Sequence, residues 1–249
     1  MRLVRLWAFN GSPRGSRGAT AMMINTFLKG ARRGGAETHA ISLSEKVIHP
    51  CLGSLYCWTK TPGRCLLQDD MRLLLKCFVE ADVVILATPL HFLGVTAIMK
   101  AFIDRLLPCF RPETSPDNPR VKLCFRDRKE PLPIVVMGSG SFSEEKSFHS
   151  LSSYMHVLAE NIEGGHVALE IYRSQSDFLH QRSVEAADSV NRYLDALEEA
   201  GNSFALSGKI ETDLKERLSM PLADGQTYSS YFYDYWTSIF QTNGVNGGR

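Results

Sequence analysis

The stretch Asn10-Gly11-Ser12-Pro13-Arg14-Gly15-Ser16-Arg17-Gly18-Ala19-Thr20 concentrates the groups that bind anions. It follows an apolar run and precedes a helical pattern, so it joins a strand to a helix. Its glycines permit tight turns, and its hydroxyls and amide hydrogens can converge on one anion. The helix behind it aims the positive end of its dipole at the same point. The spacing is not GxxxxGK[ST], so the lysine that reaches the outer phosphates of a nucleoside triphosphate is missing. It is not the GxGxxG of a dinucleotide site either. The expected ligand is a single terminal phosphate, as in a monoester.

Two further stretches have the look of loops that meet a ligand: Thr88-Pro89-Leu90-His91-Phe92-Leu93-Gly94 and Gly138-Ser139-Gly140-Ser141. A different chemistry sits in the segment from Ser44 to Gln68, which holds Cys51, Cys57 and Cys65 together with Pro50, Pro62 and the apolar or aromatic residues Leu55, Tyr56 and Trp58. Connections this long are uncommon without a function. Leu55, Tyr56 and Trp58 are expected to anchor this one by packing. The remaining cysteines, Cys77, Cys109 and Cys124, read as buried or partly exposed thiols.

The elements that must position these loops are legible from periodicity. Leu3, Val4, Leu6, Trp7, Ala8 and Phe9 form a buried strand, and Ala21, Ile24, Phe27, Leu28 and Ala31 recur at helical spacing. Arg32-Arg33-Gly34-Gly35 stops that helix, and Glu37 to Ser42 is a second strand. Asp69-Asp70 opens a helix over Met71 to Glu80, with acids where the dipole favours them. Val83 to Ala87 is a continuous β-branched run, as in a central parallel strand covered on both faces. A helix over Thr96 to Leu107 follows, then a surface insertion over 111–131, rich in proline and charge. Pro133 to Met137 is a fourth strand, Glu144 to Asn161 a helix, His166 to Tyr172 a fifth strand and Ser183 to Ala200 a helix. Five strands alternating with helices predict a doubly wound α/β fold, a parallel sheet with helices on both faces and right-handed crossovers. A flavodoxin-like order of 2-1-3-4-5 would bring the loops after strands one, three and four to one edge.

The formal net charge of +1 gives no electrostatic case for nucleic acid or an anionic membrane surface, so neither is expected as a partner. The N-terminal apolar stretch, broken at Asn10-Gly11, is short for a signal peptide, and no run approaches a membrane span. A cytoplasmic protein is expected, in which the six cysteines are thiols or metal ligands rather than a disulfide framework.

Four motifs in this order resemble the NADPH-dependent FMN reductase family, closest to its iron-sulfur flavoprotein branch. They are Asn-Gly-Ser-Pro-Arg at Asn10 to Arg14, Asp-Asp-Met at Asp69 to Met71, Thr-Pro-Leu-His-Phe at Thr88 to Phe92, and Lys-Ala-Phe-Ile-Asp-Arg at Lys100 to Arg105. The resemblance implies a flavodoxin-like fold, non-covalent FMN with NADPH or NADH as co-substrate, and a homodimer or homotetramer. It places the FMN phosphate on Ser12, Arg14, Ser16 and Thr20, with Arg17 and Gly18 in the same loop. Pro89, Leu90, His91, Phe92 and Gly94 would line the isoalloxazine ring, and Gly138, Ser139 and Gly140 would close its far side. His91 departs from the pattern, since a tyrosine is usual there. Ser54 stands where the branch's compact four-cysteine motif implies a second cysteine, so no metal and no iron-sulfur cluster are expected.

The expected function is therefore an FMN-dependent oxidoreductase passing electrons from NAD(P)H to a small acceptor such as a quinone or a flavin, with no obligatory catalytic side chain. A flavodoxin-type electron carrier and a non-catalytic flavin redox sensor are the rival classes. The domain reading is 1–205 for the FMN-binding unit and 206–249 for a C-terminal helix and aromatic tail. That tail, Tyr228 to Trp236, is too aromatic to hang free in water.

Overall fold

The computed structural model describes residues 3–115, 118–128, 130–141, 144–181 and 186–242. Five strands, β1 (Arg5–Asn10), β2 (Glu37–Ser42), β3 (Val83–Pro89), β6 (Leu132–Ser139) and β7 (Gly165–Arg173), form one sheet. Its order is β2-β1-β3-β6-β7 with all pairs parallel, which is the expected 2-1-3-4-5 once the strands of the insertion are set aside. The inner strands are apolar along almost their whole length because both faces are covered: Val84, Ile85, Leu86, Val135, Val136 and Met137 are all buried.

On one face lie α1 (Ala19–Arg33) and α6 (Ala187–Ser207), and on the other α2 (Met71–Glu80), α3 (Ala97–Asp104) and α4 (His149–Glu160). Helices α1 and α6 cross closely at a pair of glycines. A Cβ on Gly30 would lie 1.8 Å from the Glu198 carbonyl oxygen, and one on Gly201 would lie 1.9 Å from that of Phe27. Gly201 is thus a packing residue inside α6, which runs on to Ser207 and ends at left-handed Gly208. Ser183 and Val184, expected to open this helix, lie outside the described residues.

The surface insertion is an antiparallel hairpin of β4 (Phe110–Ser115) and β5 (Asn118–Phe125). Its root is buried, with Phe110 and Phe125 packed on Phe78. A short helix, α5 (Asp177–Gln181), follows β7, and the C-terminal segment forms α7 (Thr212–Ser219) and α8 (Gly225–Thr242). Among the described residues no helix is long and apolar enough to cross a membrane.

Candidate functional site

The loop after β1 is braced from within by the last residue of that strand. The Asn10 amide donates to the Gly15 carbonyl at 3.0 Å and accepts from the Ser12 N–H at 2.9 Å. Gly15, at φ +56°, makes the turn between them. Ser12 Oγ accepts from the Arg14 N–H at 3.3 Å, and a single 3-10 turn over Gly15–Arg17 leads to Gly18. Gly18 caps α1 in an extended conformation without a side-chain hydrogen bond; its carbonyl takes the Ala21 and Met22 N–H groups, and the helix start at Ala19 and Thr20 lines the concavity. A Cβ on Gly18 would come within 2.9 Å of Ser12 Oγ; a bare glycine keeps that hollow open. The start of α1, its dipole and the exposed Arg14 are the chemistry that can hold an anion.

Two neighbouring loops are stitched to this one. The Gly11 N–H donates to the Ala87 carbonyl at 2.7 Å, and the Thr96 hydroxyl donates to the Gly11 carbonyl at 2.7 Å while accepting the Met99 N–H as cap of α3. The Leu90 N–H donates to the Ser139 carbonyl at 2.8 Å, and the hydroxyls of Thr20 and Ser139, both buried, share a 2.9 Å hydrogen bond. Beyond Leu90 the chain makes a tight turn. His91 and Gly94 exchange backbone hydrogen bonds, and Phe92 (φ 51°) and Leu93 (φ 65°) take the left-handed conformation that bulky residues avoid.

The three loops enclose a cavity of about 330 Å³. Of the residues singled out from sequence, Ser12, Arg14, Gly18, Thr20, Pro89, Leu90, His91, Ser139 and Gly140 line it. Ser16, Arg17, Phe92, Gly94 and Gly138 stand outside its lining. Gly138 instead lets Tyr172 and Phe148 close in, since a Cβ there would meet Tyr172 at 2.8 Å. Phe92 is fully exposed at the tip of its turn. Ser141, Ser176 and Asp177 complete the wall. The last two come from the turn after β7 and the first residue of α5, which leave the same edge of the sheet and carry no glycine signal in the sequence.

That turn is held from behind by the C-terminal segment. Arg173 donates to the Leu218 carbonyl at 3.1 Å, and the Gln175 side chain bonds the backbone of Leu222 and Ala223. The buried Tyr228 hydroxyl lies 2.6 Å from the Ser141 carbonyl and 2.9 Å from Asp177 Oδ2. Burial, followed by the Asp177 charge, pushes the Tyr228 phenol well above its ordinary range. The expected aromatic tail is therefore a helix rooted at the cavity wall, with Phe232, Trp236 and Phe240 exposed further along.

The cysteine segment is pinned by an ion pair that periodicity does not show. Arg105 donates to both Asp69 carboxylate oxygens, at 2.8 and 3.0 Å, and to the His49 carbonyl at 2.7 Å; both side chains of the pair are at most 1% exposed. Burial works to raise the Asp69 carboxyl, but hydrogen bonds from Arg105, His49 and Met71 hold it below the usual aspartate range. Asp69 is thus the partner of Arg105 rather than chiefly an acid for the helix dipole. Of the expected anchors, the Trp58 indole N–H reaches the Leu107 carbonyl at 2.9 Å, whereas Leu55 is exposed, at φ 53°. Cys51 is exposed, Cys57 and Cys65 are half-buried, and Cys77, Cys109 and Cys124 are buried. Burial raises the Cys109 thiol to about 12.

A parallel sheet in this order, with a loop that can hold an anion after its first strand and further strand-end loops closing on the same hollow, defines a flavodoxin-like protein. The sequence profile of the NADPH-dependent FMN reductases matches residues 4–172. The chain belongs to that family. It is 43% identical over 98 residues to an iron-sulfur flavoprotein of Archaeoglobus fulgidus, a match that spans 39% of this chain and 43% of that protein. It is 37% identical over 105 residues to one of Methanocaldococcus jannaschii, spanning 42% of this chain and 53% of that protein. The match thus covers about half the length of these relatives. Among solved structures, it superposes on an FMN-dependent NADH-azoreductase from Bacillus anthracis in complex with FMN at a TM-score of 0.58 and 13% identity. That superposition covers 82% of this chain and 100% of the other. A putative quinone reductase from Klebsiella pneumoniae gives 0.59 and 17%, over 81% of this chain and 85% of the other. At these identities the structural likeness speaks for the fold alone.

Proposed function

We propose that the protein is an FMN-dependent oxidoreductase that draws electrons from NADPH or NADH and delivers them to a small acceptor such as a quinone or a free flavin. The observation that carries this reading is the joining of the β1, β3 and β6 loops around one cavity, whose phosphate end is built and whose far end is walled by Pro89, Leu90 and His91. The residues fit FMN. The Gly18 hollow, the start of α1 and Arg14 suit a phosphate monoester, and the cavity volume falls in the range of small-ligand pockets.

FMN, when bound, supplies the hydride and electron chemistry. Arg14 and the α1 amides hold its phosphate, with Ser12 shaping the loop. Pro89, Leu90 and His91 position the ring and keep water from one side of it. The backbone around Ser139 and Gly140 would form the opposite wall, held rigid by the Leu90 N–H on the Ser139 carbonyl and by the Gly140 N–H on the Arg173 carbonyl. No side chain need give or take a proton.

An iron-sulfur centre does not fit the cysteine segment. A four-thiolate cubane site needs one more thiol than Cys51, Cys57 and Cys65 provide, and a neutral Ser54 hydroxyl is a poor substitute.

The protein is further proposed to work as a homo-oligomer, because α8 exposes Phe232, Trp236 and Phe240 on a helix with a single charged residue, Asp234. Charging two exposed positions, Trp236→Glu with Phe240→Lys, tests this without disturbing Leu222 or Tyr228. The expected result is a shift of the solution mass towards monomer. For the activity itself, steady-state oxidation of NADPH and NADH is followed with FMN and a quinone present. Turnover supports the enzyme. Reduction only by a protein donor, with neither nicotinamide consumed, would make it an electron carrier.

A further inference from the structure

A second cavity, of about 830 Å³, lies between residues 61–68 and the start of α2 and shares no lining residue with the first. The Asp69–Arg105 pair lines it together with Arg64 and Arg72, both exposed, so three guanidiniums face one carboxylate that is already paired. Leu66, Met71 and Leu75 add apolar wall, and Cys65 brings a thiol. Such a hollow suits an organic anion with an apolar body.

Arg105 gives this cavity its chemical character. Its Nη atoms are taken up by Asp69 and the His49 carbonyl, but its Nε–H is buried with no hydrogen-bond partner. Cys65 lines the same cavity and interacts with this guanidinium. A neutral thiol accepts a hydrogen bond weakly, whereas a sulfur anion accepts one strongly. A guanidinium beside a thiol is placed to meet the negative charge that develops on sulfur in an attack on an electrophile. Cys57 does not compete, because burial first, and then Cys65 and Cys51, push its thiol up. Cys51 competes only through its greater exposure.

We infer that Cys65 is a nucleophilic thiol and that this cavity takes low-molecular-weight disulfides bearing carboxylates. The Cys65 thiol loses its proton to water, and its sulfur attacks one sulfur of the disulfide. A new Cys65–S–R bond forms as the old S–S bond breaks, and the other half leaves as a thiolate. Cys65 is oxidised to the mixed disulfide while the departing half is reduced, so no further oxidant is needed.

The test uses full-length, flavin-loaded protein and two reagents, the dianionic disulfide dithiobis-nitrobenzoate and the neutral dithiodipyridine, with peptide mapping of the first thiol modified. The expected first site with the anionic reagent is Cys65, ahead of the more exposed Cys51. Cys65→Ser should abolish the fast phase and leave the flavin spectrum unchanged. Replacing both surface arginines, Arg64→Ala with Arg72→Ala, should slow the anionic reagent about tenfold and the neutral one less than about twofold. Modification of Cys51 first, or equal slowing of both reagents, would overturn the inference. So would a Cys65 that stays unreactive in protein whose iron content shows a cluster occupying the loop.

Discussion

The loop of residues 10–20 and the segment of residues 44–68 follow two strands that pair with each other, β1 and β2, yet they are held in opposite ways. In the first, the polar groups of Asn10 and Ser12 close on backbone within five residues, and the fold stitches the result to its neighbours through Gly11 and Thr20. In the second, Leu52, Leu55 and Leu66 are exposed; a turn over 55–64 closes on its own backbone through Thr59 and Thr61, but what fixes the segment to the body is contacts to distant elements: Trp58 with Leu107, Arg126 with the Cys57 carbonyl and, just beyond its end, Asp69 with Arg105. A loop that satisfies itself locally announces its job in its own residues. One that is held from outside does not.

The largest effect should come from breaking the outside hold. Arg105→Met leaves the Asp69 carboxylate buried and unpaired, at a cost of about 3–5 kcal/mol in denaturant unfolding. A loss under about 1 kcal/mol would mean that other contacts fix the cysteine segment. The same pair has a signature in acid. Because Asp69 is held below its usual range in the folded protein, its contribution is fully present above the unfolded value of about 3.9 and disappears as pH falls through the lower folded value. Asp69→Asn should flatten the acid limb of the stability curve, and an unchanged limb would remove the pair from the account.

Next in size is a change confined to the first loop. Arg14→Ala should weaken FMN by about 1.5–3 kcal/mol through loss of a charge-assisted contact, and leave riboflavin within about twofold. Equal losses for both ligands would place Arg14 away from the phosphate. Tyr228→Phe removes the hydroxyl that ties α8 to Ser141 and Asp177, and should cost about 1 kcal/mol of stability with a small loss of flavin affinity. The smallest effect is Trp58→Phe, which keeps the ring packing and loses one hydrogen bond to Leu107, about 0.5–1 kcal/mol by thermal unfolding.

The same contrast explains what was legible in the sequence. Val83 to Ala87 reads as a covered strand because burial on both faces demands an unbroken apolar run, and element alternation gives a doubly wound sheet, whose particular strand order rests on the family resemblance. Ser12, Arg14, Gly18 and Thr20 were found because their chemistry is contiguous in the chain. Asp69–Arg105 was not, since its partners stand 36 positions apart and Asp69 also fits a helix start. The hairpin of β4 and β5 is hidden in the sequence by proline and charge, as at the exposed Arg111, Pro112 and Glu113, while Phe110 and Phe125 carry the buried side. Ser176 and Asp177 lacked the glycine signal of the other loops. Tyr228 reaches Ser141 across 87 positions, a pairing no local pattern encodes.

The central claim is that the strand-end cavity is a seat for a flavin with a terminal phosphate. The most direct test is titration of flavin-free, full-length protein with FMN and with riboflavin, followed by flavin fluorescence. One FMN should bind per chain, at least about tenfold more tightly than riboflavin, the difference one charge-assisted phosphate contact provides. Equal affinity for the two, or no saturable FMN binding, would contradict it.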